Sequence, residues 1–346
     1  MKKAYIEIDL KRLKENYQYY KKNSDKKIIA VVKDNAYGHG LNGISKALES
    51  YGCPFFAVAS LKEALILRNN NITGGILILG YLDGQEYDIA SKNDISVTIY
   101  SCEQLNEITN SLINNKLKVH IKINSGMQRN GILPNQFDEV INTIKNDNRL
   151  ILEGVFTHYI GGKNSYDFVK NQYDVFCNIV KTLTNDKIMI HASSTNSYNL
   201  LDDKISNFVR IGLGLYGLGD EITNPILSLR APIVQVYYCK SGTLCGYDGA
   251  FSCKRDGYTF TIPIGYSDGI KLIYNHTAYL GEYLTQGGKV SMDYSTFFSP
   301  IFHEIGEVVE LIGDHISVSE IAIKANTNKY DIVCSLSDKL TRKYII

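Results

Sequence analysis

The chain has 346 residues, 44% of them hydrophobic, and a formal net charge of +1. It can bury a large core, and its length implies two domains or one big barrel with an addition. Lysine and arginine form no block, which argues against electrostatic nucleic-acid binding, and no window reaches the roughly 20 apolar residues of a membrane span. The opening Met1-Lys-Lys-Ala-Tyr-Ile-Glu-Ile-Asp9 becomes charged too soon for a signal peptide, so a cytoplasmic protein is expected. The cysteines, Cys53, Cys102, Cys177, Cys239, Cys245, Cys253 and Cys334, are odd in number and form no Cys-x-x-Cys pair. They read as reduced, mostly buried thiols, with neither a disulfide framework nor a metal site.

In chain order, the first strong element is Ile29-Ala-Val-Val-Lys-Asp-Asn-Ala-Tyr-Gly-His-Gly40. Ile29 to Val32 are apolar on both faces, as in a buried parallel strand, and Gly38 and Gly40 let the chain turn sharply before a helix. Lys33 then projects from a strand's carboxyl end, where α/β barrels assemble active sites. Taken alone, it is equally a rim charge with Tyr37 as its packing neighbour.

Similar apolar runs follow at 55–59, 76–80, 96–100, 119–123, 154–158, 188–192 and 208–212. Helix-like segments lie between them, including 61–70, 102–113, 136–145 and 166–184, with apolar residues every three or four positions. Eight alternations predict an α/β fold, a (β/α)8 TIM-type barrel over residues 9–225. From residue 226 the period falls towards two, in runs such as Ile233 to Tyr237, Tyr258 to Ile264, Val308 to Ile312 and Ile332 to Cys334. Residues 226–346 therefore read as a mainly β C-terminal domain, which residues 1–8 join as an opening strand.

The polar residues of interest stand at successive strand exits. Strand six ends in Phe156-Thr-His-Tyr, strand seven in His191-Ala-Ser-Ser-Thr-Asn, and strand eight in Arg210-Ile-Gly-Leu-Gly-Leu-Tyr-Gly. Barrels commonly bind phosphate on the loops after strands seven and eight, and Ser194, Thr195, Gly212 and Leu213 suit that task. In isolation, Ser193 to Thr195 is an ordinary helix cap, Gly212 a packing glycine and His158 a core histidine.

Together with Lys122-Ile-Asn-Ser-Gly-Met-Gln-Arg-Asn-Gly131, Pro263-Ile-Gly-Tyr-Ser-Asp-Gly269, Gly288-Lys-Val-Ser-Met-Asp293 and Lys329-Tyr-Asp-Ile-Val-Cys-Ser-Leu-Ser, these motifs resemble those of the alanine racemases. Those are pyridoxal 5'-phosphate (PLP) enzymes built on a barrel, and the resemblance covers nearly the whole chain. It implies that Lys33 carries PLP covalently beside Tyr37, and that Ser194, Thr195, Gly212, Leu213 and Tyr330 hold the phosphate. Arg210 then faces the pyridine nitrogen with His158 supporting it. An arginine is never a proton acceptor, so the ring stays a weaker electron sink, which suits quick return of the proton over transamination.

The same resemblance makes Arg129 a contact for the substrate carboxylate and the cofactor's phenolic oxygen, the backbone N–H of Met292 a second contact for that carboxylate, and Lys122 a position often carbamylated to hold Arg129. It makes Tyr266 the second base opposite Lys33, arriving from the partner subunit of a homodimer with shared active sites. The implied reaction interconverts L-alanine and D-alanine, with Lys33 on the D face and Tyr266 on the L face, and supplies D-alanine for cell-wall peptidoglycan. A serine or broader-specificity racemase with the same machinery is the alternative; Tyr330 favours alanine, because serine racemases tend to have a smaller polar residue there. A non-catalytic PLP carrier and a decarboxylase of the same fold are the rival classes. The chain departs from the family pattern at Asp34, at Asn124 and in its ending, Thr341-Arg-Lys-Tyr-Ile-Ile346.

Overall fold

The structure is a computed structural model that describes residues 3–161, 165–183, 187–219, 222–271 and 276–346. The chain forms two compact units, one of Leu13–Ala36 with Leu41–Asn224, the other of Met1–Arg12 with Tyr37–Gly40 and Pro225–Ile346.

Strand β1 (Tyr5–Asp9) and helix α1 (Leu10–Lys22) open the chain. The first unit is a closed barrel of eight parallel strands, the fold expected from the alternating pattern: β2 (Lys27–Val31), β3 (Phe55–Val58), β4 (Gly75–Ile78), β5 (Ser96–Ile99), β6 (Leu117–Lys122), β7 (Leu150–Phe156), β8 (Met189–Ser194) and β9 (Phe208–Ile211). Strand β9 closes the ring on β2, with Ile29 opposite Arg210. Ile28, Ile29, Ala30, Phe56, Ile76, Leu77, Val97, Val119 and Ile121 are all buried, because strands covered on both faces leave no polar side.

Helices α2 (Leu41–Ser50), α3 (Leu61–Asn69), α4 (Glu86–Lys92), α5 (Cys102–Asn110), α6 (Phe137–Asn146) and α7 (Tyr166–Val180) fill the crossovers. Ser60 and Ser101 start α3 and α5 by accepting the N–H of Glu63 at 3.3 Å and of Gln104 at 3.1 Å. Helix α7 stops at Val180, and Thr184, where the periodic pattern ends, lies outside the described residues, as do Met1 and Lys2 of the opening segment. The expected alternation fails between β8 and β9, where the chain makes turns. Short polar side chains take the backbone donors there: Ser197 Oγ accepts Ser194 N–H at 3.0 Å, and Asp203 accepts the N–H groups of Ile205 and Ser206 at 3.1 and 3.0 Å.

The chain leaves β2 in an unusual way. Asp34, Asn35, Ala36 and Tyr37 have φ of 54°, 53°, 53° and 52°, a left-handed turn of non-glycine residues. Each costs about 1–2 kcal/mol relative to a right-handed residue. Specific bonds hold it: Ala36 N–H to Val32 O at 2.9 Å, Asn35 N–H to Glu63 Oε1 at 3.0 Å, and Leu41 N–H to Asn35 Oδ1 at 2.7 Å. The sequence pointed to glycines 38 and 40 for this turn, whereas the left-handed run begins directly after Lys33.

The second unit is built on a nine-stranded sheet. To β1 it adds β10 (Leu227–Pro232), β11 (Gln235–Cys239), β14 (Gly257–Ile262), β15 (Thr277–Tyr279), β16 (Tyr283–Gln286), β17 (Ser295–Ser299), β18 (Val308–Ile312) and β19 (Thr341–Ile345), while β12 (Leu244–Cys245) and β13 (Phe251–Ser252) pair as a separate ribbon. The order is β11-β14-β17-β16-β15-β18-β10-β1-β19, so the opening strand joins this sheet, antiparallel to β10 and parallel to β19.

Two helices, α8 (Val318–Lys324) and α9 (Lys329–Cys334), complete the unit. Helix α9 replaces the strand expected at Ile332 to Cys334, because the Asn328 side chain caps it by accepting Asp331 N–H at 2.9 Å. The atypical C-terminus packs firmly: Arg342 donates to Gly38 O at 3.0 and 3.2 Å, and to Ser337 O and Leu340 O at 2.9 and 2.8 Å. Cys53, Cys239 and Cys253 are buried, Cys102, Cys177 and Cys245 partly so, and Cys334 is exposed, so the thiols are less uniformly interior than expected.

Candidate active site

The carboxyl ends of the barrel strands gather positive charge. Lys33 is half-exposed beyond β2, and its Nζ stands 3.8 Å from the Asp34 carboxylate. Lys122, at the end of β6, is 6% exposed and donates to Asn130 Oδ1. Burial first, then the charges of Arg129, Arg210 and Lys33, push its amine down to about 7. Near neutral pH much of the Lys122 population is therefore a neutral amine. Arg129 is exposed and makes no hydrogen bond or ion pair among the described residues.

Arg210 on β9 is 4% exposed and held in detail. Its Nη1 donates to His191 O at 2.8 Å and to His191 Nδ1 at 2.9 Å; its Nη2 donates to Thr157 O and Ala192 O, both at 2.7 Å, with His158 Nδ1 at 3.2 Å. These bonds occupy both terminal nitrogens. Of the five guanidinium donors, Nε–H is the one with no partner among the described residues. Burial and then Arg210 push His158 down to about 3, so it stays neutral and accepts from Arg210.

The support for Arg210 continues through the barrel. His120 Nδ1 lies 3.0 Å from His191 Nε2, and His120 Nε2 lies 2.9 Å from Glu153 Oε2. Because Arg210 donates to His191 Nδ1, the His191 proton sits on Nε2 and is given to His120 Nδ1; His120 in turn donates from Nε2 to Glu153. Burial, Arg210 and His120 hold His191 well below the usual histidine range, consistent with this neutral tautomer. Gly154 makes room for the relay, since a Cβ there would fall 2.3 Å from His120 Nδ1.

Sequence reasoning found His158 and missed His191, His120 and Glu153 as supports. The usable signal was an ionisable side chain in the middle of each of three neighbouring barrel strands, His120 in Leu117–Lys122, Glu153 in Leu150–Phe156 and His191 in Met189–Ser194. The His191→Phe variant keeps a ring against Phe156, which stacks on His191 at 4.7 Å, but strips Arg210 and His120 of a partner. Denaturant titration is expected to show a stability loss of about 1–3 kcal/mol. An unchanged midpoint would mean that the relay does not hold Arg210.

Ser194, Thr195, Gly212 and Leu213 come together at the β8 and β9 exits. Thr195 Oγ1 accepts the N–H groups of Gly212 and Gly214, both at 3.2 Å, which ties one loop to the other. Gly212 N–H is thus engaged by Thr195, while Ser194 and Leu213 are half-buried at the rim.

In the second unit, Tyr266 begins a 3-10 turn and is 42% exposed. Its N–H donates to Ser291 O at 3.1 Å, and that of Ser267 donates to Met292 O at 3.0 Å, so the Tyr266 and Met292 loops lie side by side. A Cβ on Gly265 would fall 2.3 Å from both of those carbonyl oxygens, which explains the glycine. The same turn reaches the segment after α9, where Ser337 N–H donates to Asp268 O at 3.0 Å. Tyr330 on α9 is 44% exposed. Tyr37, half-buried, ends the left-handed turn, and its carbonyl lies 2.8 Å from His39 Nδ1.

A closed parallel barrel with lysines and arginines converging at its strand ends defines a β/α-barrel enzyme suited to anionic ligands. The chain matches the model for the alanine racemase N-terminal domain over residues 8–220 and that for the C-terminal domain over 226–344. A relative named alanine racemase from Streptococcus agalactiae is 34% identical, covering 97% of each chain. The structure of alanine racemase from Clostridium difficile 630 superposes with a TM-score of 0.93 at 30% identity, over 100% of this chain and 96% of that one. A histidine racemase from Leuconostoc mesenteroides also superposes, with a TM-score of 0.91 at 26% identity, over 99% and 98% of the two chains. The chain belongs to the alanine racemase family and is an isomerase. Among the described residues, no helix is long and apolar enough to cross a membrane.

Proposed function

We propose that this protein interconverts L-alanine and D-alanine with bound PLP, using Lys33 and Tyr266 of the partner subunit in a homodimer. The observation that carries the reading is Arg210: a buried guanidinium fixed by neutral histidines, with one N–H left to meet an acceptor such as a pyridine nitrogen. The nearby excess of cations, with Asp34 the one carboxylate paired to Lys33 among the described residues, fits a ligand carrying a phosphate and a carboxylate. PLP, when bound, supplies the electron-withdrawing ring that makes the substrate Cα–H acidic.

The chain's residues do the rest. Lys33 holds the cofactor, and Tyr37 flanks it. Ser194, Thr195, Gly212, Leu213 and Tyr330 hold the phosphate. Arg129 and Met292 N–H orient the substrate carboxylate. Lys33 Nζ moves the proton on the D face and the Tyr266 oxygen on the L face. Arg210, unable to accept a proton, keeps the ring from storing charge for long, which favours racemisation. The product fits supply of D-alanine for cell-wall peptidoglycan in the cytoplasm.

Chiral chromatography of the purified protein with L-alanine, L-serine and L-histidine tests the substrate. Tyr330 supports alanine, and kcat/KM is expected to favour alanine over serine by ~10-fold or more. A preference for serine or histidine would overturn the alanine reading.

Lys122 belongs to the same proposal. Its neutral amine attacks carbon dioxide: an N–C bond forms, one C=O electron pair moves to oxygen, and a proton leaves to water. The resulting carbamate places an anion among the cations that include Arg129. In 13C-bicarbonate, the protein is expected to show a carbamate carbon resonance that Lys122→Arg lacks. Persistence of the resonance in that variant would place the modification elsewhere.

A further inference from the structure

One cluster in the second unit takes no part in these roles. Cys239 ends β11, Cys245 ends β12 and Cys253 directly follows β13. The β12–β13 ribbon sets Cys245 opposite Phe251. Backbone bonds fix its return, with Gly242 N–H donating to Cys253 O at 2.7 Å and Cys253 N–H to Thr243 O at 2.9 Å. All three sulfurs lie within 4.8 Å of one another, and those of Cys245 and Cys253 are 3.9 Å apart. Phe251 and Phe298 pack around them.

We propose that Cys239, Cys245 and Cys253 form a structural metal site for a thiophilic d10 cation, Zn2+ or Cu+, that clamps the β12–β13 ribbon to the end of β11. Metal–thiolate bonds of about 2.3 Å in tetrahedral geometry place sulfurs roughly 3.8 Å apart, close to the observed Cys245–Cys253 separation. A disulfide needs about 2.05 Å and uses two sulfurs, which would strand the third. The donor set is all sulfur: among the described residues, no histidine or carboxylate joins the cluster. Soft thiolates select zinc or cuprous ions over magnesium, calcium or manganese.

The burial pattern fits an entry path. Cys239 and Cys253 are buried while Cys245 is partly exposed, so an ion arrives on the Cys245 side, where a water completes the shell of Zn2+. Cu+ is satisfied by the three thiolates alone. The thiols shed their protons to solvent on binding. The spacing hid the site, since five and seven residues separate the cysteines and no Cys-x-x-Cys occurs.

The test uses the full-length protein, reduced and kept anaerobic, loaded with Zn2+ in one arm and Cu+ in the other, then desalted and assayed for metal. Roughly one ion per chain is expected in at least one arm, lost in Cys245→Ser and Cys253→Ser and kept in Cys102→Ser. The arm that retains metal identifies the ion. With Co2+ as a stand-in, the unsubstituted protein is expected to show a thiolate-to-cobalt charge-transfer band, which needs no variant to fold. No retained ion in either arm, retention unaffected by both serine variants, or Zn2+ retained with a Co2+ spectrum that lacks that band would overturn the proposal.

Discussion

Lys33→Ala is expected to reduce alanine racemisation by about 10⁴-fold or more and to abolish the absorbance band of PLP linked covalently to the protein. Both losses follow because one amine serves as covalent anchor and as proton carrier. The fold is expected to survive, since Lys33 is half-exposed and its one ion pair among the described residues is the 3.8 Å approach to Asp34. The left-handed turn behind it is held by Glu63 and Asn35, not by the lysine. That turn fixes where the chain goes after residue 33, at a cost in strain, as functional sites commonly do. An absorption spectrum and a chiral assay decide the matter; a yellow, active variant would refute the assignment.

Tyr266→Phe is expected to reduce racemisation by about 10²–10⁴-fold while PLP remains bound and the visible absorbance persists. The substitution removes one oxygen and keeps the ring. The loop is secured by main-chain bonds to Ser291 and Met292, so its shape does not depend on the phenol. The split between lost turnover and retained colour distinguishes a second proton carrier from a residue that merely holds the cofactor. Loss of both would make Tyr266 a structural residue.

Most of the barrel was legible because its strands are local apolar runs: Ile28 to Val31 and Phe55 to Val58 are buried throughout, and their composition says so directly. The residues around Arg210 were legible only in part. His158 stands in a motif at a strand exit, whereas His120 and Glu153 reach Arg210 through His191 across three strands, a pairing that no local period encodes. The left-handed turn was hidden for a different reason. Asp34 and Asn35 are residue types that visit this conformation singly, but nothing in the composition announces a run of four that includes Ala36 and Tyr37, and bonds such as Asn35 N–H to Glu63 hold it.

The second unit shows the same limit. Ile332 to Cys334 is as apolar as a strand, and a capping asparagine four residues earlier than Ile332 turns it into helix α9. Thr341 to Ile345, atypical in sequence, nevertheless pairs in register with Tyr5 to Asp9. Its anchor is Arg342 on Gly38, a contact between residues 304 positions apart.

The central claim is that two proton carriers work on opposite faces of the substrate, and isotope exchange in Tyr266→Phe measures it most directly. In deuterated water, with Lys33 intact, the variant is expected to exchange the Cα hydrogen of D-alanine with retention of configuration and to leave that of L-alanine untouched over the same interval. Equal exchange into both enantiomers, or exchange into neither, would contradict the account.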